Sequence, residues 1–228
     1  MAMKPFLLIP ILVLIACSPE AVPERMYDPA PDASQDACVP NTPAPPSDCT
    51  GNVPDDTLLA CSPEPGDAIE LPKDIGARQP TWRLENVQPS DCGYGRTYGL
   101  EHFRDAPTVV ILLSAGCGFC QQQTVKLQEM KIELMDEGHI FNFVIVNLSS
   151  QLSVVENLTD ICDFPIFQDT DAVNAWGIHD GVKDDFYFYD QDGILQNFIS
   201  AQGELEINLS VEEGYANIKN ALLALVSD

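Results

Sequence analysis

Basic residues are scarce in this chain. Its 228 residues include 35 aspartates and glutamates but only 11 lysines and arginines, which gives a formal charge of −24. A polyphosphate partner needs a basic protein face, and anionic lipid likewise attracts basic segments. The composition therefore excludes nucleic acid and electrostatic membrane attachment as partners. The hydrophobic share of 45% is ordinary for a globular protein and excludes disorder of the whole chain.

Long apolar runs are missing as well. The apolar stretch at residues 6–15 has ten residues, whereas a membrane-spanning helix needs about 20. It ends at Leu14-Ile15-Ala16-Cys17, which resembles the bacterial lipoprotein signal. We expect residues 1–16 to be a signal peptide and Cys17 to be lipidated. The acyl chains would then attach the protein to the bacterial cell envelope, at the outer membrane or the periplasmic face. The alternative is an ordinary secretory signal that is cleaved further along the chain.

Residues 17–78 differ in composition from the rest of the chain. They contain twelve of the 18 prolines and almost no aromatic residues. Such a segment cannot bury enough apolar surface to offset the entropy of ordering, so we predict a disordered, Pro-rich tether. Cys38, Cys49 and Cys61 lie in this tether. In an exported chain they can form disulfides, either with one another or with Cys92.

From residue 79 to residue 228 the pattern alternates strands with helices. Residues 108–113 are a continuous β-branched run typical of a strand buried on both faces, and residues 141–146 are predicted to be another buried strand. Residues 119–136 between them have apolar residues at helical spacing. Other predicted strands are at 81–87, around 166, at 186–189 and at 194–200, and other predicted helices at 151–158, 171–176 and 210–226. This order predicts one three-layer α/β domain with a mixed sheet.

The chemistry is concentrated at Cys117-Gly118-Phe119-Cys120, where a buried strand ends and a helix begins. Thiol–disulfide exchange needs a thiolate that attacks and a second thiol that resolves the mixed disulfide. The amino terminus of a helix lowers the pKa of a thiol, so Cys117 is the predicted nucleophile and Cys120 the shielded resolving thiol. The alternatives are a structural disulfide and half of a zinc site. For zinc, the sequence offers no second such pair and no histidines at ligand spacing. We expect no metal or other cofactor.

The residues around the motif resemble a known family. From about Trp82 the chain looks like a thioredoxin-like redoxin, and its later part is similar to the N-terminal domain of selenoprotein P. The similar segments are 109–120, 143–147, 164–168, 173–176 and 181–190. The resemblance implies a thioredoxin-like fold with a selenocysteine-x-x-cysteine redox pair, in which Cys117 occupies the selenocysteine position. Two departures from thioredoxin are Gly116 in place of a tryptophan and Phe119 in place of a proline.

The resemblance also implies a substrate-binding segment. In thioredoxin-like folds a cis-proline opens the strand opposite the motif, and Phe164-Pro165 occurs in a similar order of elements. We therefore expect a cis bond before Pro165 and a backbone at Phe164 that pairs with substrate. Cys162 is a candidate auxiliary or free thiol, although a buried or bridged cysteine is the simpler interpretation. Lys183-Asp184-Asp185 is interpreted as a solvated loop.

The resulting functional hypothesis is an exported, lipid-anchored thiol–disulfide oxidoreductase that uses the Cys117–Cys120 pair. Its partners would be protein or small-molecule thiols and disulfides, it would be a monomer, and it would reach the membrane through the lipid anchor alone. One alternative is a non-catalytic surface lipoprotein that uses the domain as an interaction module, with the cysteine pair permanently oxidised. Another is a weak thiol peroxidase in which residues 121–123 (Gln-Gln-Gln) take part.

Overall fold

The computed structural model describes residues 72–226; the predicted signal peptide, Cys17 and most of the predicted tether lie outside these described residues. The strands are β1 (Leu84–Asn86), β2 (Thr97–Tyr98), β3 (Thr108–Leu113), β4 (Asn142–Asn147), β5 (Ile166–Gln168), β6 (Phe186–Tyr189) and β7 (Leu195–Ile199). The helices are α1 (Gly118–Asp136), α2 (Glu156–Thr159), α3 (Ala175–Ile178) and α4 (Glu212–Ala224), with 3-10 helices at Leu100–Phe103 and Ser149–Val154.

The strands form a single mixed sheet in the order β2-β1-β5-β4-β3-β6-β7. Strands β3, β4 and β5 are parallel, and α1 crosses over between β3 and β4. The remaining pairs are antiparallel, including β3 with β6, in which Ile111 lies opposite Phe186. The predicted α/β architecture with a mixed sheet is therefore confirmed.

Strand β3 is buried along its whole length and is apolar on both faces of the sheet. Val109, Ile111 and Leu113 point into one cluster with the buried side of α1 and with α4. Val110 and Leu112 point into a second cluster, which contains Trp82 and Tyr187. Two apolar layers on opposite faces of one sheet produce a three-layer domain. No helix within residues 72–226 is both long enough and apolar enough to cross a bilayer.

Residues 76–79, at the predicted boundary between tether and domain, pair with the sheet. The Gly76 N–H donates to the Leu195 carbonyl, and the Gln79 N–H donates to the Gly193 carbonyl. Arg78 forms a bridge with Ile194. This segment therefore pairs alongside the entry to β7, although its polar composition gives it no strand pattern.

Candidate active site

The two motif cysteines lie at the junction of β3 and α1. Cys117 is the N-cap residue of α1 and is partly exposed, whereas Cys120 in the first turn is fully buried. Both are free thiols. The junction is fixed by side chains, because the Asn147 amide oxygen accepts the Ala115 N–H and Gln121 Nε2 donates to the Ala115 carbonyl. These hydrogen bonds hold Cys117 just beyond the carboxyl end of β3, where its partly exposed side chain can be reached by a partner.

The two thiols have opposite electrostatic environments. Partial burial alone would raise the pKa of Cys117. Hydrogen bonds from the backbone N–H groups of Cys120 and Phe119, together with the charge of Lys183, outweigh it and lower that pKa. Burial strongly raises the pKa of Cys120, and the nearby Asp184 carboxylate adds to the effect. Cys117 is therefore the more readily ionised of the two thiols, and Cys120 the less readily ionised.

A loop that precedes β6 meets the motif directly. Lys183 Nζ lies 3.5 Å from Cys117 Sγ, and the Cys120 thiol donates to Asp184 Oδ1 at 3.4 Å. Lys183 and Asp184 also pair with each other, with Nζ and Oδ2 2.7 Å apart. The interpretation of Lys183-Asp184-Asp185 as a solvated loop is wrong, since Asp184 and Asp185 are both buried.

The sheet topology explains why these residues reach the cysteines. Because β6 runs antiparallel to β3, the residues just before β6 lie beside the residues that end β3. The Asp184 N–H donates to the Leu112 carbonyl, and the Leu112 N–H donates to the Asp185 carbonyl. Once β6 is paired with β3 in the antiparallel sense, the sequence alone could have identified this loop.

The expected cis-proline is not present. Residues 72–226 contain no cis peptide bond, so the bond before Pro165 is trans. Pro165 leads into β5, which is parallel to β4, and its carbonyl accepts the Ile145 N–H. An unconstrained X-Pro bond prefers trans, and a regular parallel ladder does not oppose that preference. The residues that face the motif are instead Lys183 and Asp184, just before β6.

Phe164 and Pro165 lie away from the motif. They line a cavity of about 240 Å³ near the start of β4. The Phe164 ring packs against Phe143 at a centroid distance of 5.7 Å, and Lys131 Nζ lies 6.0 Å from its centre. Lys131 is fourteen residues beyond Cys117, about 21 Å along the helix axis at 1.5 Å per residue. The structure therefore does not bring the predicted substrate segment to the cysteines.

The other predicted thiol is also removed from the motif. Cys162 is free and buried, with its Sγ 3.7 Å from both Gln88 Nε2 and the Leu158 carbonyl oxygen. Burial raises its pKa to about 12. These contacts identify Cys162 as a core residue. Cys92 is disulfide-bonded.

The side chains of Gln121 and Gln123, beside the motif, form hydrogen bonds with backbone groups of the fold. Gln121 holds the Ala115 carbonyl, while Gln123 is buried, donates to the Ile207 carbonyl and accepts the Leu209 N–H. Gln123 thus ties α1 to the segment that precedes α4. Among residues 72–226, no three His, Cys, Asp or Glu side chains are grouped so that they could hold a metal ion.

Solved structures share this arrangement of sheet and helices. A candidate thiol:disulfide interchange protein DsbE from Chlorobium tepidum superposes with a TM-score of 0.53 at 15% identity, over 68% of this chain and 99% of that one. A candidate protein disulfide isomerase from Bacteroides thetaiotaomicron gives 0.51 at 14%, over 68% and 91%. At these identities the likeness concerns the fold alone, and the fold is thioredoxin-like.

The sequence defines the family more narrowly. Residues 74–203, more than half of the chain, match the model of the selenoprotein P N-terminal region, and the chain belongs to that family. Selenoprotein P from Bos taurus is 30% identical over 122 residues, which are 51% of this chain and 28% of that protein. The Homo sapiens protein is 26% identical over 143 residues, or 60% and 35%. The chain thus spans about a third of the length of these relatives.

Proposed function

We propose that this protein is a thiol–disulfide oxidoreductase in which Cys117 is the nucleophile and Cys120 the resolving thiol. The observation that carries the proposal is the asymmetry of the pair. One sulfur is partly exposed at a helix amino terminus, with a lowered pKa and a lysine beside it. The other is fully buried and hydrogen-bonded as a thiol.

The exchange proceeds in two displacements. The Cys117 thiolate attacks one sulfur of a substrate disulfide, a mixed disulfide forms, and the other substrate sulfur leaves as a thiolate. Cys120 then gives its proton to the Asp184 carboxylate that accepts its S–H and attacks Cys117 Sγ, which releases the second substrate thiolate. Two electrons pass from the protein dithiol to the substrate, and the reverse sequence oxidises a substrate dithiol.

The proposed location is the cell envelope, with the lipid on Cys17 as the anchor. The signal-like residues 1–16 support export, and the acidic composition leaves the acyl chains as the source of membrane affinity. Residues 79–228 alone carry 23 acidic and 7 basic residues, a formal charge of −16. In cells that express the full chain, Cys17→Ser should abolish labelling by a fatty-acid probe and release the protein from the membrane fraction. Unchanged labelling would rule out this anchor.

Replacing the motif cysteines tests the proposed reaction. We expect Cys117→Ser to abolish reduction of insulin disulfides, because serine supplies no thiolate. Cys120→Ser should retain the first displacement and accumulate mixed disulfides, which non-reducing electrophoresis will detect. Cys162→Ser is the matched control, since it removes a buried thiol outside the motif and should keep turnover within about twofold of the wild type, as for a residue outside the chemistry.

A different result would favour the interaction module. If the wild-type protein, with its redox state confirmed by mass, neither reduces a disulfide as the dithiol nor oxidises a thiol as the disulfide, or if Cys117→Ser retains the wild-type rate, the proposal is wrong.

A further inference from the structure

The loop that faces the motif is built to hold one side chain in place. Asp180 and Asp184 adopt left-handed backbone conformations with φ of 48° and 69°, which non-glycine residues seldom do. Between them, Gly181 lies so close to the core that an added Cβ would come 2.1 Å from Leu112 Cδ1. The buried Asp185 carboxylate accepts the Val182 and Ala201 N–H groups. The loop is therefore anchored on both sides of Lys183.

Lys183 is held at the reactive sulfur by two neighbours, Asp184 and Phe119. Its ammonium lies 3.5 Å from Cys117 Sγ, 2.7 Å from Asp184 Oδ2 and 5.6 Å from the centre of the Phe119 ring. The other lysine at this loop, Lys73, pairs instead with Asp180 at 3.4 Å and Asp185 at 3.8 Å. Lys183 is thus the cation that the loop directs to Cys117, with Asp184 and the Cys120 thiol as the other ionisable groups around it.

We propose that Lys183 is a catalytic residue that stabilises the dithiol form by pairing with the Cys117 thiolate, and so favours electron flow from substrate thiols into the Cys117–Cys120 disulfide. The reason is that the thiolate exists only in the reduced protein, whereas a disulfide sulfur carries no charge for Lys183 to stabilise. Stabilising the reduced form makes a disulfide a stronger oxidant. The inference rests on the proposed function and adds a preferred direction to it.

The equilibrium with glutathione measures this preference. In the oxidation of substrate thiols, one glutathione thiolate attacks the protein disulfide and a second glutathione resolves the mixed disulfide. The products are the protein dithiol and glutathione disulfide, and two electrons enter the protein. We expect Lys183→Met to shift this equilibrium about fivefold towards the protein disulfide, the upper range for a partly exposed ion pair. Since a tenfold change in the equilibrium constant corresponds to about 30 mV in reduction potential, the reduction potential of the variant should be about 20 mV lower.

Two further variants separate charge from structure. Lys183→Arg keeps a cation at the loop and should remain within about twofold of the wild type, as a rescue by charge requires. Lys126→Met is the matched control, because it removes the same charge from the exposed side of α1, where Lys126 pairs with Glu129. Circular dichroism should show each variant folded, since the Lys183 side chain is 43% exposed.

A second measurement reports on the sulfur itself. Titration of the Cys117 13Cβ resonance should show a higher midpoint in Lys183→Met than in Lys126→Met. If the two variants agree in both the equilibrium and the midpoint, Lys183 has no such role, even when Cys117→Ser abolishes turnover. If Lys183→Met shifts both but the wild type exchanges with no protein disulfide, the inference about Lys183 stands and the proposed function fails.

Discussion

At the scale of single residues, the site depends on charged side chains that the sequence predicts to be solvent-exposed. Three consecutive charged residues normally mark a solvated turn, yet the Asp185 side chain is fully buried. Its carboxylate replaces water for two backbone N–H groups in a tight loop, which composition cannot show. The positions of the cysteines were easier to predict because they follow from a local pattern, a strand end followed by a helix start. Lys183 was missed because its contact with Cys117 spans 66 residues.

Removing the Asp185 carboxylate should weaken the fold. Asp185→Ala leaves the Val182 and Ala201 N–H groups without their acceptor, and we expect a loss of about 2 kcal/mol in the free energy of unfolding. Urea denaturation measures it. Asp136→Ala, at an exposed position near the end of α1, is the charge-matched control and should lie within about 0.5 kcal/mol of the wild type. Equal stabilities for the two variants would contradict the assigned role of Asp185.

At the scale of elements, the predictions succeeded where a run is long and apolar. The structure places β3, α1, β4 and β6 within one residue of their predicted bounds, because continuous apolar runs and helical periodicity are physical requirements of burial. The two-residue strand β2 was not predicted, since it has no pattern of its own. The direction of each strand also cannot be read from its sequence. This is why Pro165, before a parallel strand, was predicted to face the motif, whereas the structure places the residues before β6 there.

The first turn of α1 should give Cys117 an unusual pH dependence. Its lowered pKa means that the thiolate persists as the pH falls below 8.5, the ordinary cysteine value. We expect the rate of iodoacetamide alkylation of the reduced, folded protein to have its midpoint below pH 8.5, with Cys117 as the labelled residue by mass mapping. In denaturant the midpoint should return to about 8.5. A folded-state midpoint at or above this value would show that the helix terminus does not stabilise the thiolate.

At the scale of the whole molecule, one buried histidine links stability to acid. His179 Nε2 accepts the Trp82 indole N–H at 3.0 Å, and its ring packs against Tyr187 at a centroid distance of 4.7 Å. Burial lowers its pKa to about 3, whereas an unfolded histidine titrates near 6.5. Below pH 6.5 the unfolded chain therefore binds a proton that the folded protein does not. This difference lowers stability as the pH falls towards 3.

His179→Gln should remove this contribution, because a glutamine oxygen can accept the Trp82 N–H without titrating. Between pH 6 and pH 4.5 the wild type should lose about 2 kcal/mol more of its unfolding free energy than the variant, at about 1.4 kcal/mol per proton and pH unit. Urea unfolding at a series of pH values measures the difference, and the carboxylates cancel because both proteins share them. Parallel curves for the two proteins would show that His179 does not control acid stability.

The position of Lys73 has a mechanical consequence. Lys73 lies at the start of the described residues, its ammonium is close to Asp180 and Asp185, and it rests 5.1 Å from the centre of the Phe198 ring. Tension on the chain ahead of residue 72 would enter the domain through these contacts, on the loop that carries Lys183, before it loads the sheet. Lys73 therefore connects the segment ahead of β1 to the loop whose Lys183 contacts Cys117.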